Sequence, residues 1–119
     1  MRNILCLVGL FVCALSCDDI TEVEDISSRN VEILAPSNES VLDTTLVNFT
    51  WEKIEEATHY KLQIATPDFE NAIQIAADSS LAETSFTKAL IPGDYQWRVR
   101  AENSDYQTEY TTNGFTIQD

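Results

Sequence analysis

Lys61, Arg98 and Arg100 are the residues through which this sequence offers specific chemistry. After position 17 only six basic residues stand against twenty acids, a balance of −14, and these are three of the six. Each sits in a run where every second residue is apolar: "HYKLQIA" around Lys61 and "YQWRVRAE" around the two arginines. Period-two alternation sends successive side chains to opposite faces of a strand. The cations therefore share the face opposite Tyr60, Leu62, Tyr95, Trp97 and Val99. A guanidinium offers paired hydrogen bonds to a carboxylate or sulfate. These residues form a candidate binding face for an acidic glycan or an acidic protein segment, with Gln63 and Gln96 as flanking donors. The competing reading is structural, with the cations neutralising cross-strand acids such as Glu70 and Glu109.

Other chemistries find less support. His59 is the single histidine, alternates with Tyr60 and so faces outward, and no nucleophile motif accompanies it. Metal-assisted hydrolysis calls for His or Cys clusters, and no carboxylate pair stands out from so acidic a background. The expectation is a protein that is not an enzyme and holds no cofactor or metal. Hard oxygen ligands do gather in two candidate loops, Glu52, Glu55 and Glu56 in one and Glu102 and Asp105 in the other. Without D-x-D-x-D spacing they read as a solvated acidic rim rather than a calcium site. The same charge repels nucleic-acid phosphates and anionic lipid headgroups, so neither is an expected partner.

All three cysteines fall within the first 17 residues. Arg2 precedes the apolar run "ILCLVGLFVCAL", which is too short to cross ~30 Å of hydrocarbon but suits the core of a signal peptide. Ser16 then precedes Cys17. This arrangement resembles a bacterial lipoprotein signal, in which a peptidase cuts before a cysteine carrying diacylglycerol. The family usually has Leu where Ala14 stands. The resemblance implies a signal peptide over 1–16, lipidation at Cys17 and a membrane anchor made of lipid. Ordinary secretory cleavage after Ala14-Leu15-Ser16 also fits and would leave Cys17 a free thiol. On either reading Cys6 and Cys13 are discarded, and the mature chain has no disulfide partner for Cys17. "DDITEVEDISSR" follows, with five acids and no aromatic residue, and reads as a solvated tether over 17–29. Such an acidic run resembles the surface-display signal of Bacteroidetes lipoproteins, whereas in enterobacteria an Asp after the cysteine resembles inner-membrane retention. The expected location is the bacterial envelope, as an outer-membrane lipoprotein exposed at the surface.

What must position the basic residues is a set of short strands from Asn30 onward. "VEIL", "VNFTW", "HYKLQIA", "AIQIAA", "TSFTK" and "YQWRVRAE" are separated by turn signals, and "YQTEYTTNGFTI" closes the series with an expected bulge or kink at Asn113-Gly114. "WEKIEEATHY" is too brief to count as a helix. Six or seven strands at ~8–12-residue spacing argue for an antiparallel sandwich.

The chain here resembles a fibronectin type III domain over about residues 30–118, through Pro36, Trp51, Ala57 with Tyr60 in "ATHYKLQI", and above all "LIPGDYQWRVRAEN". The Gly-to-Tyr spacing is one residue short of the family pattern, and Trp97 stands where Val is usual. The resemblance implies an all-β, immunoglobulin-like sandwich of about seven strands over 30–119. It implies a corner tyrosine at Tyr95 bonded to backbone near Leu90 to Pro92, and two acidic loops at one end. A second likeness, to the N-terminal sandwich of starch-utilisation outer-membrane lipoproteins, rests on Cys17, the acidic tether, "FTW" and "YKLQIA". "DTT" at 43–45 resembles a Bacteroidetes O-glycosylation acceptor and would place the glycan on Thr44. The expected role is a monomeric, non-catalytic binding or spacer module. The alternative is a small accessory subunit of a glycan- or polymer-uptake complex that contacts protein rather than ligand.

Overall fold

The structure, a computed structural model, describes residues 23–119, so Cys17, the signal segment and most of the expected tether lie outside the described residues. Eight strands follow in order: β1 (Ile33–Ala35), β2 (Ser40–Leu42), β3 (Leu46–Trp51), β4 (His59–Thr66), β5 (Gln74–Leu81), β6 (Ser85–Ala89), β7 (Gly93–Glu102) and β8 (Thr111–Ile117). They form a three-stranded sheet, β1-β3-β6, and a five-stranded sheet, β2-β8-β7-β4-β5. The fold is an all-β, immunoglobulin-like sandwich.

Alternation decides which side chains meet between the sheets. Val47, Phe49 and Trp51 of β3 face Tyr60, Leu62 and Ile64 of β4, Tyr95, Trp97, Val99 and Ala101 of β7, and Phe115 and Ile117 of β8, all buried. Phe49 packs edge-on to Trp97 at 4.8 Å between centroids and to Phe115 at 5.7 Å, and Trp51 packs edge-on to Tyr60 at 5.7 Å. Such geometry sets a positive ring edge against a negative ring face. Burial of this apolar surface is the main force closing the two sheets.

Three expectations need correction. The pairing is not wholly antiparallel, because β2 runs parallel to β8 with Ser40 opposite Phe115 and Leu42 opposite Ile117. Its three residues, "SVL", are too few to show alternation, so the turn signals around them mask the strand. Asn113-Gly114 is not a bulge. Register runs unbroken from Val99↔Thr111 through Gln96↔Gly114 to Gly93↔Ile117, while shifts of register lie between β4 and β5 at Ile64/Ala65 and between β1 and β3 at Ile33/Ala35. The Gly114 amide instead donates to Asn38 Oδ1 at 2.8 Å.

The third correction concerns the tether. Ile26, expected in solvent, is fully buried in the core, so packing begins before residue 30. Asn103 Nδ2 donates to the carbonyls of Glu24 and Glu56 at 2.9 and 3.3 Å, and Arg29 donates to the Glu55 carbonyl at 2.6 Å. The segment is thus fastened to the end of the sandwich where β3 leads into β4 and β7 into β8. Composition did not show this because a single isoleucine suffices to seat the segment.

Candidate functional site

The outer face of the five-stranded sheet gathers the predicted cations. Lys61 lies directly opposite Arg100, and Gln63 opposite Arg98, across the β4–β7 pair. Their expected acidic partners, Glu70 and Glu109, are not the ones used. Lys61 Nζ reaches Asp78 Oδ1 on β5 at 2.9 Å, and Arg100 Nε donates to Glu102 Oε2 at 2.7 Å. His59 Nε2 shares the other oxygen of Glu102 at 2.8 Å. Arg98 Nε donates to a neutral acceptor, Gln63 Oε1, at 2.8 Å.

Two aromatic rings complete the arrangement: Tyr110, which the sequence offers for this face without fixing its direction, and Phe69, which it does not offer. The Arg98 guanidinium carbon lies 4.1 Å from the Phe69 ring centroid and 4.4 Å from that of Tyr110. The Arg100 guanidinium carbon lies 4.6 Å from the same Tyr110 ring. Arg98 is therefore shared by two rings and Tyr110 by two guanidinium groups. Each contact of this kind contributes about 0.5–2 kcal/mol, more as water is excluded. Phe69 sits in the connection between β4 and β5, and its amide donates to Gln96 Oε1 at 2.9 Å, which draws that loop over the sheet. Tyr110 precedes β8. Both rings lie in connectors, where period two gives no direction. The only signal was an aromatic residue within otherwise polar stretches.

Charge on the face is largely matched. Hydrogen bonding to Asp78 raises the Lys61 pKa, and the same bond holds Asp78 below its ordinary value. For Glu102, burial pushes the pKa up, but bonds from Arg100 and His59 together outweigh it and leave the carboxyl lowered.

The remaining predicted residues are dispersed. Thr44 lies exposed between β2 and β3, its hydroxyl accepting from the Leu46 amide at 3.2 Å. The two acidic loops do share one end, as the Asn103–Glu56 bond shows, but Glu102 turns onto the sheet face toward Arg100. Among the described residues no three of His, Cys, Asp and Glu gather closely enough to hold a metal ion. Tyr95 does form the corner, its hydroxyl donating to the Ile91 carbonyl at 2.7 Å, and burial raises its pKa. At the sandwich end opposite Ile26, Gln74, Ala76, Lys88, Leu90, Ile91 and Tyr95 line a groove of about 270 Å³, and Ile73 and Ile91 are 88% and 76% exposed beside it.

Neither a protein-family model nor a curated protein matches the sequence. Solved structures do match in shape. The fibronectin(III)-like modules of Clostridium thermocellum CbhA align with a TM-score of 0.54 at 11% identity, over 74% of this chain and 95% of that one. The fibronectin type III domain of the human KIAA0970 protein aligns with a TM-score of 0.55 at 17% identity, over 76% of this chain and 74% of that one. At these identities the likeness is one of fold, and the fold is of fibronectin type III kind.

Proposed function

We propose that this chain is a non-catalytic binding or spacer module of the bacterial cell envelope, held to the outer membrane by lipid on Cys17 and exposed on the extracytoplasmic side. The observation carrying this reading is the seating of Glu24 and Ile26 against one end of the sandwich. Only residues 18–23 separate Cys17 from that packed segment. Six residues span at most roughly 20 Å, so a lipid at Cys17 would hold the Glu55–Glu56 end close to the bilayer and turn the opposite end outward. A module so placed presents its sheet face and far end to whatever approaches the surface. The fold is shared with the fibronectin(III)-like modules of Clostridium thermocellum CbhA, which suits a binding or spacing role.

Detergent phase partitioning tests the anchor. The native protein should enter the detergent phase, and Cys17→Ser should stay aqueous or uncleaved. Equal partitioning of the two would remove the lipid from the reading, and protection from protease on intact cells would remove surface display.

The second reading, an accessory subunit of a glycan- or polymer-uptake complex, draws on the exposed apolar residues at the far end. Ile73, Ile91 and Leu46 (61% exposed) lie there, where a protein partner would bury them. Ile73→Glu with Ile91→Glu should abolish cross-linking to a neighbour in native membranes on this reading, and leave it unchanged on the first.

A further inference from the structure

We infer that the outward edge of Arg98, framed by Phe69 and Tyr110, binds one carboxylate of an acidic saccharide, a uronic-acid unit being the simplest case. The inference goes beyond the envelope role and does not depend on lipid at Cys17.

The matching of charges singles out Arg98. Lys61 has Asp78 at 2.9 Å and Arg100 has Glu102 at 2.7 Å, each a carboxylate within hydrogen-bond reach. Among the described residues no carboxylate lies within 4.0 Å of Arg98. Its Nε is taken by Gln63, and the rings of Phe69 and Tyr110 stand at 4.1 and 4.4 Å over the guanidinium. What remains is the planar edge carrying the two terminal nitrogens. A guanidinium held by two rings and by Gln63 has lost its freedom before any ligand arrives, which lowers the cost of binding. Its edge matches a coplanar carboxylate through two parallel hydrogen bonds.

The neighbours decide the kind of acid. One unmatched cation supplies the charge for one anionic group. A run of acidic residues on a peptide would bring further carboxylates against Asp78 and Glu102. A net balance of −14 also opposes polyanions beyond the Debye length of about 8 Å. A saccharide acid instead adds hydroxyl groups. Thr112, exposed and directly opposite Arg98 on β8, offers a hydroxyl to meet them.

Nuclear magnetic resonance on the full mature chain in neutral detergent tests this, with glucuronate, its methyl ester, glucose, acetate and a tetraglutamate peptide as probes. Glucuronate should shift the Arg98 Nε–H and Thr112 amide signals, while the methyl ester and glucose leave both in place. Acetate should bind on the order of tenfold more weakly, for want of the hydroxyl contacts. Arg98→Lys keeps the charge but loses the paired geometry, and should weaken glucuronate by on the order of tenfold or more. If that variant fails to fold, the contrast between glucuronate and its methyl ester on the native chain still decides. Equal shifts from glucose or the ester would overturn the carboxylate, and equal affinity for acetate would overturn the saccharide. Tighter binding of tetraglutamate would assign the face to acidic peptides instead, and silence from every probe would leave Arg98 a strut of the sheet. None of these outcomes depends on how Cys17→Ser partitions.

Discussion

At the scale of single residues, two tyrosines perform opposite tasks with the same hydroxyl. Tyr60 accepts from the Ile54 amide at 3.0 Å in a buried setting, whereas Tyr95 donates to the carbonyl of Ile91, a residue 76% exposed. Removing a partner costs most where water cannot replace it. Tyr60→Phe should therefore lower stability by about 1–3 kcal/mol, and Tyr95→Phe by about 1 kcal/mol or less, because the Ile91 carbonyl can turn to water. Urea unfolding of both variants checks the order, and the reverse order would mean that the corner, not the core tyrosine, pins the loop. The corner was readable in "LIPGDYQW" through its likeness to a known pattern. The Tyr60 bond was not, since the amide it receives sits six residues upstream in a stretch, "WEKIEEA", without periodicity. Glu102 gives a pH signature. Its lowered pKa means the folded state favours the carboxylate, so its contribution is present above the ordinary carboxylate range and fades as pH falls through the folded value. Glu102→Gln should thus be less stable than the native chain near neutrality by about 1 kcal/mol, given partial exposure. The gap should close in acid, and a gap that persists unchanged would assign Glu102 to packing rather than charge.

At the scale of elements, the strands that carry the core were legible and those at the margins were not. β3, β4 and β7 alternate over six, eight and ten residues, long enough for period two to be unmistakable. β2, with three residues, takes its place from hydrogen bonding to β8 and from the Gln118 amide donating to the Leu42 carbonyl at 2.8 Å, which no pattern in "SVL" announces. Asn-Gly in β8 misled for a physical reason: the pair is a turn former in isolation, yet here the ladder with β7 holds it extended. The two glycines of this sheet should then respond differently to alanine. A methyl at Gly114 would meet the Tyr95 carbonyl at 3.5 Å, ordinary contact, so Gly114→Ala should be neutral or stabilising by about 0.5–1 kcal/mol. Gly93 has φ +153°, a conformation that side chains rarely adopt, so Gly93→Ala should cost about 1–3 kcal/mol. Thermal unfolding of the pair distinguishes them, and a large loss at Gly114 would restore the bulge. The basic–aromatic ladder belongs at this scale too. Its cations came from strands and were predicted together, while its rings came from connectors, where no periodicity fixes the direction of Tyr110 or brings Phe69 in.

At the scale of the whole molecule, the boundary of the folded unit decides what an anchor can do. An acidic stretch from Asp18 to Arg29 reads as solvated by composition, yet its second half is structural. Ile26 is fully buried, Asn103 holds the Glu24 carbonyl, and Arg29 both donates to Glu55 and pairs with Glu24 at 3.6 Å. Composition averages over twelve residues, whereas seating depends on one side chain and a few backbone bonds. A chain beginning at residue 30 leaves an apolar hollow where Ile26 sat and strips Asn103 of one acceptor. Loss of a buried isoleucine alone costs about 2–5 kcal/mol, a large share of the roughly 5–15 kcal/mol that holds a domain together. A chain beginning at residue 23 should unfold at the native midpoint, and one beginning at residue 30 several kcal/mol earlier in urea. Ile26→Ala in the full chain should reproduce most of that loss, because the exposed Arg29–Glu24 pair contributes little. If the two shortened chains proved equally stable, residues 23–29 would be a tether after all. The span from Cys17 would then lengthen to twelve residues, roughly 40 Å at full reach, and the orientation proposed for the module at the membrane would lose its basis.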